Sequence, residues 1–212
     1  MTVLRAVTFA FAMLFATSAY AQAPAGRAPA GGAPAAGGAG GGGGAQFVMT
    51  TTAFPDGGDV PVKFTQAAPG AAPGEGTSPE LKWTGAPAAT RSFLLHFHDM
   101  EVVRNRGLDD QLHWLVWNIP ATATGLSEGQ PRGATLPDGS KQISATGQVY
   151  RGPGAGANGP KHHYVFELYA LDTVLDVNAT DDAFATRTKV MEAAQGHILA
   201  KAVYLGLFRR PN

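Results

Sequence analysis

Short apolar runs, each ended by glycine or proline, dominate this chain after residue 46 and set its fold class. The runs are rich in β-branched and aromatic residues, and they stop at turn sequences such as Asp56-Gly57-Gly58 and Pro137-Asp138-Gly139. This pattern is typical of short strands. We therefore predict a mostly β fold, with strands at residues 47–52, 62–65, 92–98, 113–119, 142–146, 164–171 and 198–208.

The segment at 92–99 shows the clearest alternation of side chains. Successive side chains of a strand lie on opposite faces of the sheet, so even and odd positions separate. The two predicted faces are Phe93, Leu95 and Phe97 on one side and Leu94, His96 and His98 on the other.

One helix is predicted near the C-terminus, before the last strand. Thr180 can cap its start, and Asp181 and Asp182 suit the positive end of the helix dipole. Gly196 can end the helix after Gln195. The side of the helix that faces the core is predicted to carry Phe184, Thr188, Met191 and Gln195.

The first 45 residues differ in composition from the rest of the chain. A basic start, a short apolar run and the cleavage pattern Ala19-Tyr20-Ala21 predict a signal peptide over residues 1–21, and hence a periplasmic or secreted protein. Residues 22–45 are almost entirely alanine, glycine and proline, which predicts a disordered linker because there is little to bury. Residues 46–212 are expected to form one domain.

Charge and cysteine content exclude several classes of function. The chain has 16 basic and 16 acidic residues, which argues against a nucleic-acid partner because such proteins carry a basic excess. It has no cysteine, so disulfides, thiolate metal sites and cysteine nucleophiles are excluded. No apolar run reaches the roughly 20 residues that a membrane-spanning helix needs.

Most of the polar chemistry lies in three segments, at residues 96–101, 113–120 and 150–171. Alternation along the last of them puts His162 and Tyr164 on the same face of a strand. The glycine-rich loop at 152–156 precedes that strand, and its backbone N–H groups could line an anion site. If the strand ends that carry Asp99 and His113 converge there, the result is a polar pocket for a small anion.

Five motifs occur in order along the chain. They are Ser78-Pro79-Glu80-Leu81-Lys82-Trp83, His98-Asp99-Met100-Glu101, the strand HWLVWNIP at residues 113–120, Gly152-Pro153 followed by His162-His163-Tyr164, and Gly196-His197-Ile198-Leu199-Ala200. Together they resemble the phosphatidylethanolamine-binding protein family, in its bacterial Raf-kinase-inhibitor-like branch. Five collinear motifs are far more specific than any one of them.

This resemblance implies an antiparallel β-sandwich with a C-terminal helix and a pocket for phosphate, a carboxylate or a phospholipid head group. It implies a non-enzymatic protein, so we expect no catalytic residue, metal or cofactor. Some members inhibit kinases or proteases, which makes an envelope protein a second candidate partner. Carried over residue by residue, the ligand-binding positions are Asp99, His113, Gly152, Gly154, His162 and Tyr164, with Glu101 and His98 as additional candidates.

The sequence departs from the family pattern at four positions. Met100 and Glu101 replace the proline and the second aspartate of an Asp-Pro-Asp motif, and Ala155 and Gly156 stand where the loop usually has prolines. Proline restricts φ and glycine frees it, so this loop should be less rigid. The pocket is therefore expected to be wider, more mobile, or no longer used.

Two other functions remain open from the sequence. The run His96-Phe97-His98-Asp99 superficially resembles the metal motif of zinc hydrolases, although the spacing differs and alternation separates Asp99 from the two histidines. Alternatively, the domain is an interaction or inhibitor module with a vestigial pocket. The long flexible linker and the two missing loop prolines favour this second alternative slightly.

Overall fold

The computed structural model describes residues 46–212. The signal peptide predicted at 1–21 and the linker predicted at 22–45 lie outside the described residues. A single 3-10 turn (Val62–Phe64) lies between the second and third strands. The other elements in chain order are β1 (Val48–Thr50), β2 (Gly58–Asp59), β3 (Leu81–Thr84), β4 (Ser92–Asp99), β5 (Gln111–Pro120), β6 (Gly125–Leu126), β7 (Lys141–Ile143), β8 (His162–Leu171), α1 (Ala183–Ala194) and β9 (Ile198–Phe208).

Two sheets form a sandwich around an aromatic core. The small sheet has the order β1-β3-β6, and the large sheet has the order β2-β9-β8-β4-β5-β7. Trp83 of the small sheet meets Phe93 of the large one with ring centroids 5.3 Å apart, and Phe97 stacks on Phe166 at 3.8 Å. The predicted mostly β sandwich with a C-terminal helix is confirmed. One detail differs from the predicted antiparallel arrangement: β2 pairs with β9 in parallel, whereas the other pairs are antiparallel.

The second face of the large sheet is also covered. Leu94, Trp117 and Val190 belong to a separate apolar cluster between this face and α1. All eight residues of β4 are buried as a result. The predicted alternation along β4 is confirmed, since Phe93 and Phe97 lie in the core between the sheets and Leu94 lies in the cluster under the helix. Among residues 46–212, no helix has the length and apolarity needed to cross a membrane.

The strand predictions fail where elements are very short or where proline intervenes. The strand predicted at 62–65 is wrong: Pro61 precedes a 3-10 turn in which Val62 O accepts a hydrogen bond from Thr65 N. The two-residue strands β2 and β6 are too short to show any periodicity. The strand Leu81–Thr84 was missed although its burial alternates, with Leu81 and Trp83 inside.

The helix exists, but its cap and its buried side differ from the prediction. Asp182 is the cap, because its carboxylate accepts hydrogen bonds from Phe184 N and Ala185 N at 2.9 and 3.0 Å. The hydroxyl of Thr180 instead donates to Asp182 O. The predicted inner side is wrong, since the buried residues are Ala183, Thr186, Arg187, Val190 and Ala194.

Replacing Asp182 with alanine should lower the free energy of unfolding by about 1 kcal/mol, the usual loss when a helix cap is removed. Two backbone N–H groups lose their acceptor in this variant. Urea unfolding measures the loss. Asp181→Ala is the matched control, because substitutions away from such features change stability by about 0.5 kcal/mol or less. A larger loss for Asp181→Ala than for Asp182→Ala would contradict the assignment of the cap.

Candidate functional site

A small polar cavity of about 240 Å³ lies at one end of the large sheet. The end of β4 and the start of β8 meet there, and Asp99 pairs with Tyr164 in strand register. The adjoining strand β5 supplies His113. The cavity is lined by Gln66, Asp99, Val102, Gln111, His113, Arg151, Gly154, Ala155, Gly156, His162 and Tyr164. The structure thus brings together five of the six positions named from the resemblance, and only Gly152 is not on the wall.

Asp99 and His162 form a fixed pair at the cavity wall. Asp99 is 3% exposed, and its two carboxylate oxygens lie 2.8 and 3.1 Å from His162 Nδ1. The backbone N–H of Glu101 donates to the same carboxylate at 3.0 Å. A carboxylate only accepts, so His162 Nδ1 carries the proton. This leaves Nε2 as the ring nitrogen available to a ligand.

His113 is a neutral acceptor at the base of the site. Its Nδ1 lies 3.0 Å from the carbonyl oxygen of Arg151, so Nδ1 carries the proton and Nε2 presents a lone pair. Burial lowers the pKa of His113 to about 3. Its ring meets that of Tyr164 edge-on, with centroids 5.1 Å apart. The ring therefore stays uncharged throughout the physiological pH range.

Tyr164 forms hydrogen bonds with backbone N–H groups of the glycine loop, which were expected from the sequence to face a ligand. Its hydroxyl oxygen accepts the N–H groups of Gly154 and Ala155, at 3.0 and 2.9 Å. The expectation of a bare N–H at Gly154 is therefore wrong. Burial and the nearby carboxylate of Asp99 raise the pKa of Tyr164 well above its ordinary value. The phenol keeps its proton, which it directs toward the carboxylate of Asp99.

Arg151 brings a guanidinium to the cavity and was not singled out from the sequence. Its Nε is buried and has no hydrogen-bond partner within residues 46–212. Burial lowers the pKa of Arg151, but a guanidinium stays protonated in proteins. The signal that could have found it is its position, because Arg151 directly precedes the glycine loop that was expected to bind an anion.

Two glycines of this loop, Gly152 and Gly154, serve close packing. A Cβ at Gly152 would stand 2.8 Å from the backbone carbon of Thr65, so no side chain fits there. Gln66 Nε2 donates to Gly152 O at 2.7 Å, and its side chain also fills the space beside Gly154. Gly152 thus positions the loop from outside the cavity. Ala155 is buried at 5% exposure, so this family departure sits inside the fold.

The two additional candidates lie outside the cavity. Glu101 turns to His163, whose backbone N–H it accepts at 2.7 Å. His98 lies on the opposite face of the sheet, where its Nδ1 hydrogen-bonds Asp110. Its inclusion is therefore wrong, and alternation is the reason, since neighbours in a strand lie on opposite faces.

Fold and cavity together define a β-sandwich protein with a small polar pocket. The family model described as phosphatidylethanolamine-binding protein matches residues 50–209. The chain therefore belongs to the phosphatidylethanolamine-binding protein family.

Relatives and solved structures agree with this membership. A UPF0098 protein of Methanothermobacter thermautotrophicus is 38% identical over 164 residues, which cover 76% of this chain and 98% of that protein. The crystal structure of Escherichia coli YbcL has a TM-score of 0.64 at 26% identity and covers 78% of this chain and 99% of its own. The structure of CT736, a putative family homologue from Chlamydia trachomatis, has a TM-score of 0.60 at 27% identity and covers 77% and 97%.

Proposed function

We propose that this chain is an exported, non-enzymatic binding protein whose cavity takes a small anion, with a phosphate group as the preferred chemistry. The observation that carries the proposal is the half-buried guanidinium of Arg151 on the cavity wall, whose Nε lacks a partner within the described residues. Family membership supports a binding role. Export rests on the sequence pattern of residues 1–21.

The charges of the cavity favour an anion over a cation. The one carboxylate on the wall, Asp99, is already bonded to His162. Arg151 remains as a donor, and a guanidinium matches the oxygens of a phosphate or carboxylate well. Nε2 of His113 and of His162 accept, so they suit the P–OH group of hydrogen phosphate. A cation would face Arg151 without a free counter-charge.

The size of the cavity limits the ligand. Its volume of about 240 Å³ falls below the roughly 300–1,000 Å³ of pockets that hold drug-sized molecules. A phosphate or a head-group phosphate fits this space. The acyl chains of a lipid would have to stay outside.

Titration calorimetry of the mature chain tests the pocket, with His162→Gln and His163→Gln as a matched pair. His162 lines the cavity, whereas the neighbouring His163 is exposed and pairs with Glu101. We expect wild-type protein to bind inorganic phosphate and phosphoethanolamine. His162→Gln should weaken this binding about fivefold, through loss of the hydrogen bond that Nε2 accepts from a P–OH group, worth about 1 kcal/mol. His163→Gln should leave it unchanged.

The ligand series separates the sources of the phosphate group. Tighter binding of phosphoethanolamine, together with flotation on vesicles that contain phosphatidylethanolamine, would assign a lipid head group. Tighter binding of inorganic phosphate without vesicle binding would assign the free ion. No heat and no NMR shift with any of these anions at millimolar concentration would overturn the proposal.

The hydrolase alternative gains nothing from the geometry. The carboxylate of Asp99 bonds His162 on one face of the sheet, and His98 bonds Asp110 on the other. The motif His96-Phe97-His98-Asp99 therefore does not assemble around one ion. The interaction-module alternative stays a prediction, because it concerns partners and the linker at 22–45.

A further inference from the structure

A second cluster of polar side chains lies on the face of the large sheet that α1 covers. We call it the sheet-face cluster: His96, His98, Asp110 and Glu167. The two imidazoles lie on β4 and stack in parallel, with ring centroids 4.3 Å apart. Glu167 opposes His96 in strand register from β8, and Asp110 directly precedes β5. Three separate parts of the chain thus converge on this cluster.

The imidazoles carry buried nitrogens without partners. Both ring nitrogens of His96 and Nε2 of His98 have no hydrogen-bond partner within residues 46–212. His96 is only 6% exposed, so water does not satisfy them from outside. An unsatisfied buried polar group costs about 1–3 kcal/mol and is rare in folded proteins. A bound ligand that contacts these ring nitrogens would remove this cost.

The spacing of the cluster suits a metal ion. Glu167 Oε2 lies 3.5 Å from His96 Nδ1 and 3.6 Å from His98 Nε2, which is too long for good hydrogen bonds. Neighbouring ligands at about 2.1 Å from a tetrahedral zinc stand roughly 3.4 Å apart. A carboxylate oxygen of Asp110 and one nitrogen of each imidazole also lie within 4.8 Å of one another.

We propose that the sheet-face cluster binds one Zn²⁺ ion at a structural site separate from the anion cavity. Imidazole nitrogens and carboxylate oxygens are ligands that zinc accepts. His96, Glu167 and Nε2 of His98 would supply three of them, while Asp110 holds Nδ1 of His98 from outside the coordination shell. The ion would tie β4 to β8 under α1. The zinc motif considered from the sequence grouped His96 and His98 with Asp99, whereas the carboxylate that lies beside them, Glu167, comes from another strand.

A neighbouring side chain fixes the position of one carboxylate of the cluster. Arg187 holds Asp110 in place at 3.0 Å. Such outer contacts orient the ligands of a metal site.

An entry path reaches the cluster from the surface. A cavity of about 340 Å³ opens between residues 108–110 and α1, with His96 on its wall. Asp109, Asp110 and Glu192 line it against the single cation Arg187. An acidic entrance raises the local concentration of a cation.

Calorimetric titration with Zn²⁺ alone tests the site, on tag-free mature chain that has been dialysed against a chelator. We expect one equivalent of zinc per chain, with elemental analysis after gel filtration as the second measure. The double variant His96→Gln/His98→Gln should weaken binding at least a hundredfold. His197→Gln removes an exposed histidine as the control and should bind zinc like wild type.

A competing cluster, Asp99, Glu101 and His162, also has ligand atoms within 4.8 Å of one another. His162→Gln separates the two, because loss of zinc in this variant would overturn the proposal. So would the absence of stoichiometric zinc in wild-type protein. If the double variant does not fold, NMR of wild-type protein decides. The ring signals of His96 and His98 must be the ones that move with zinc, and movement of His162 alone would refute the site.

Discussion

Replacing Arg151 with methionine is expected to weaken phosphate binding at least tenfold. Arg151 is the cation that lines the cavity, and its Nε has no protein partner among the described residues. A hydrogen bond to a charged group contributes about 1.5–3 kcal/mol, which corresponds to a factor of about 10 or more in the dissociation constant. Titration calorimetry with inorganic phosphate measures the loss.

The stability of the Arg151→Met variant shows whether Arg151 has a binding role or a structural role. A buried donor without a partner is unfavourable, so Arg151→Met should unfold in urea at the same or a higher midpoint when no anion is present. Arg151→Lys should bind with intermediate affinity, because lysine keeps the charge and loses the planar fork. The exposed Arg91→Met controls for net charge and should bind normally. Equal weakening by Arg91→Met would contradict a local role for Arg151.

Local sequence patterns predicted part of the arrangement of the site. Alternation along two strands, together with the resemblance, predicted that Asp99, His162 and Tyr164 meet, and they do. Alternation also put His98 on the other face from Asp99, so it was a better guide than the motif that grouped them. Both results follow from the period of a strand, which needs no tertiary information.

The parts that failed depend on contacts between distant segments. Gly152 was predicted to face the ligand, yet its role is to let the loop approach residues 65 and 66. The N–H of Gly154 was predicted to be free, yet the phenol of Tyr164 takes it. Similarly, Arg187 lies on the buried side of α1 because it donates hydrogen bonds there to Asp109 and Asp110. No periodicity within one segment reveals such pairs.

His113 should make the stability of this protein fall as the pH falls. Burial lowers its pKa in the folded state to about 3, while the unfolded chain has the ordinary value of 6.5. Between these two values the unfolded state binds the extra proton, so the free energy of unfolding rises with pH and drops in acid. The loss attributable to this residue between about pH 6 and about pH 4.5 is about 2 kcal/mol.

His113→Gln isolates this contribution, because glutamine does not titrate and its amide can still donate to the carbonyl of Arg151. Urea unfolding of both proteins at the two pH values gives the difference, and the variant should lose about 2 kcal/mol less than wild type. NMR of the His113 ring in wild-type protein should show the neutral form at pH 4.5. A protonated ring at that pH, or parallel stability curves, would refute the shift. A neutral His113 would also mean that any pH dependence of anion binding arises elsewhere in the cavity.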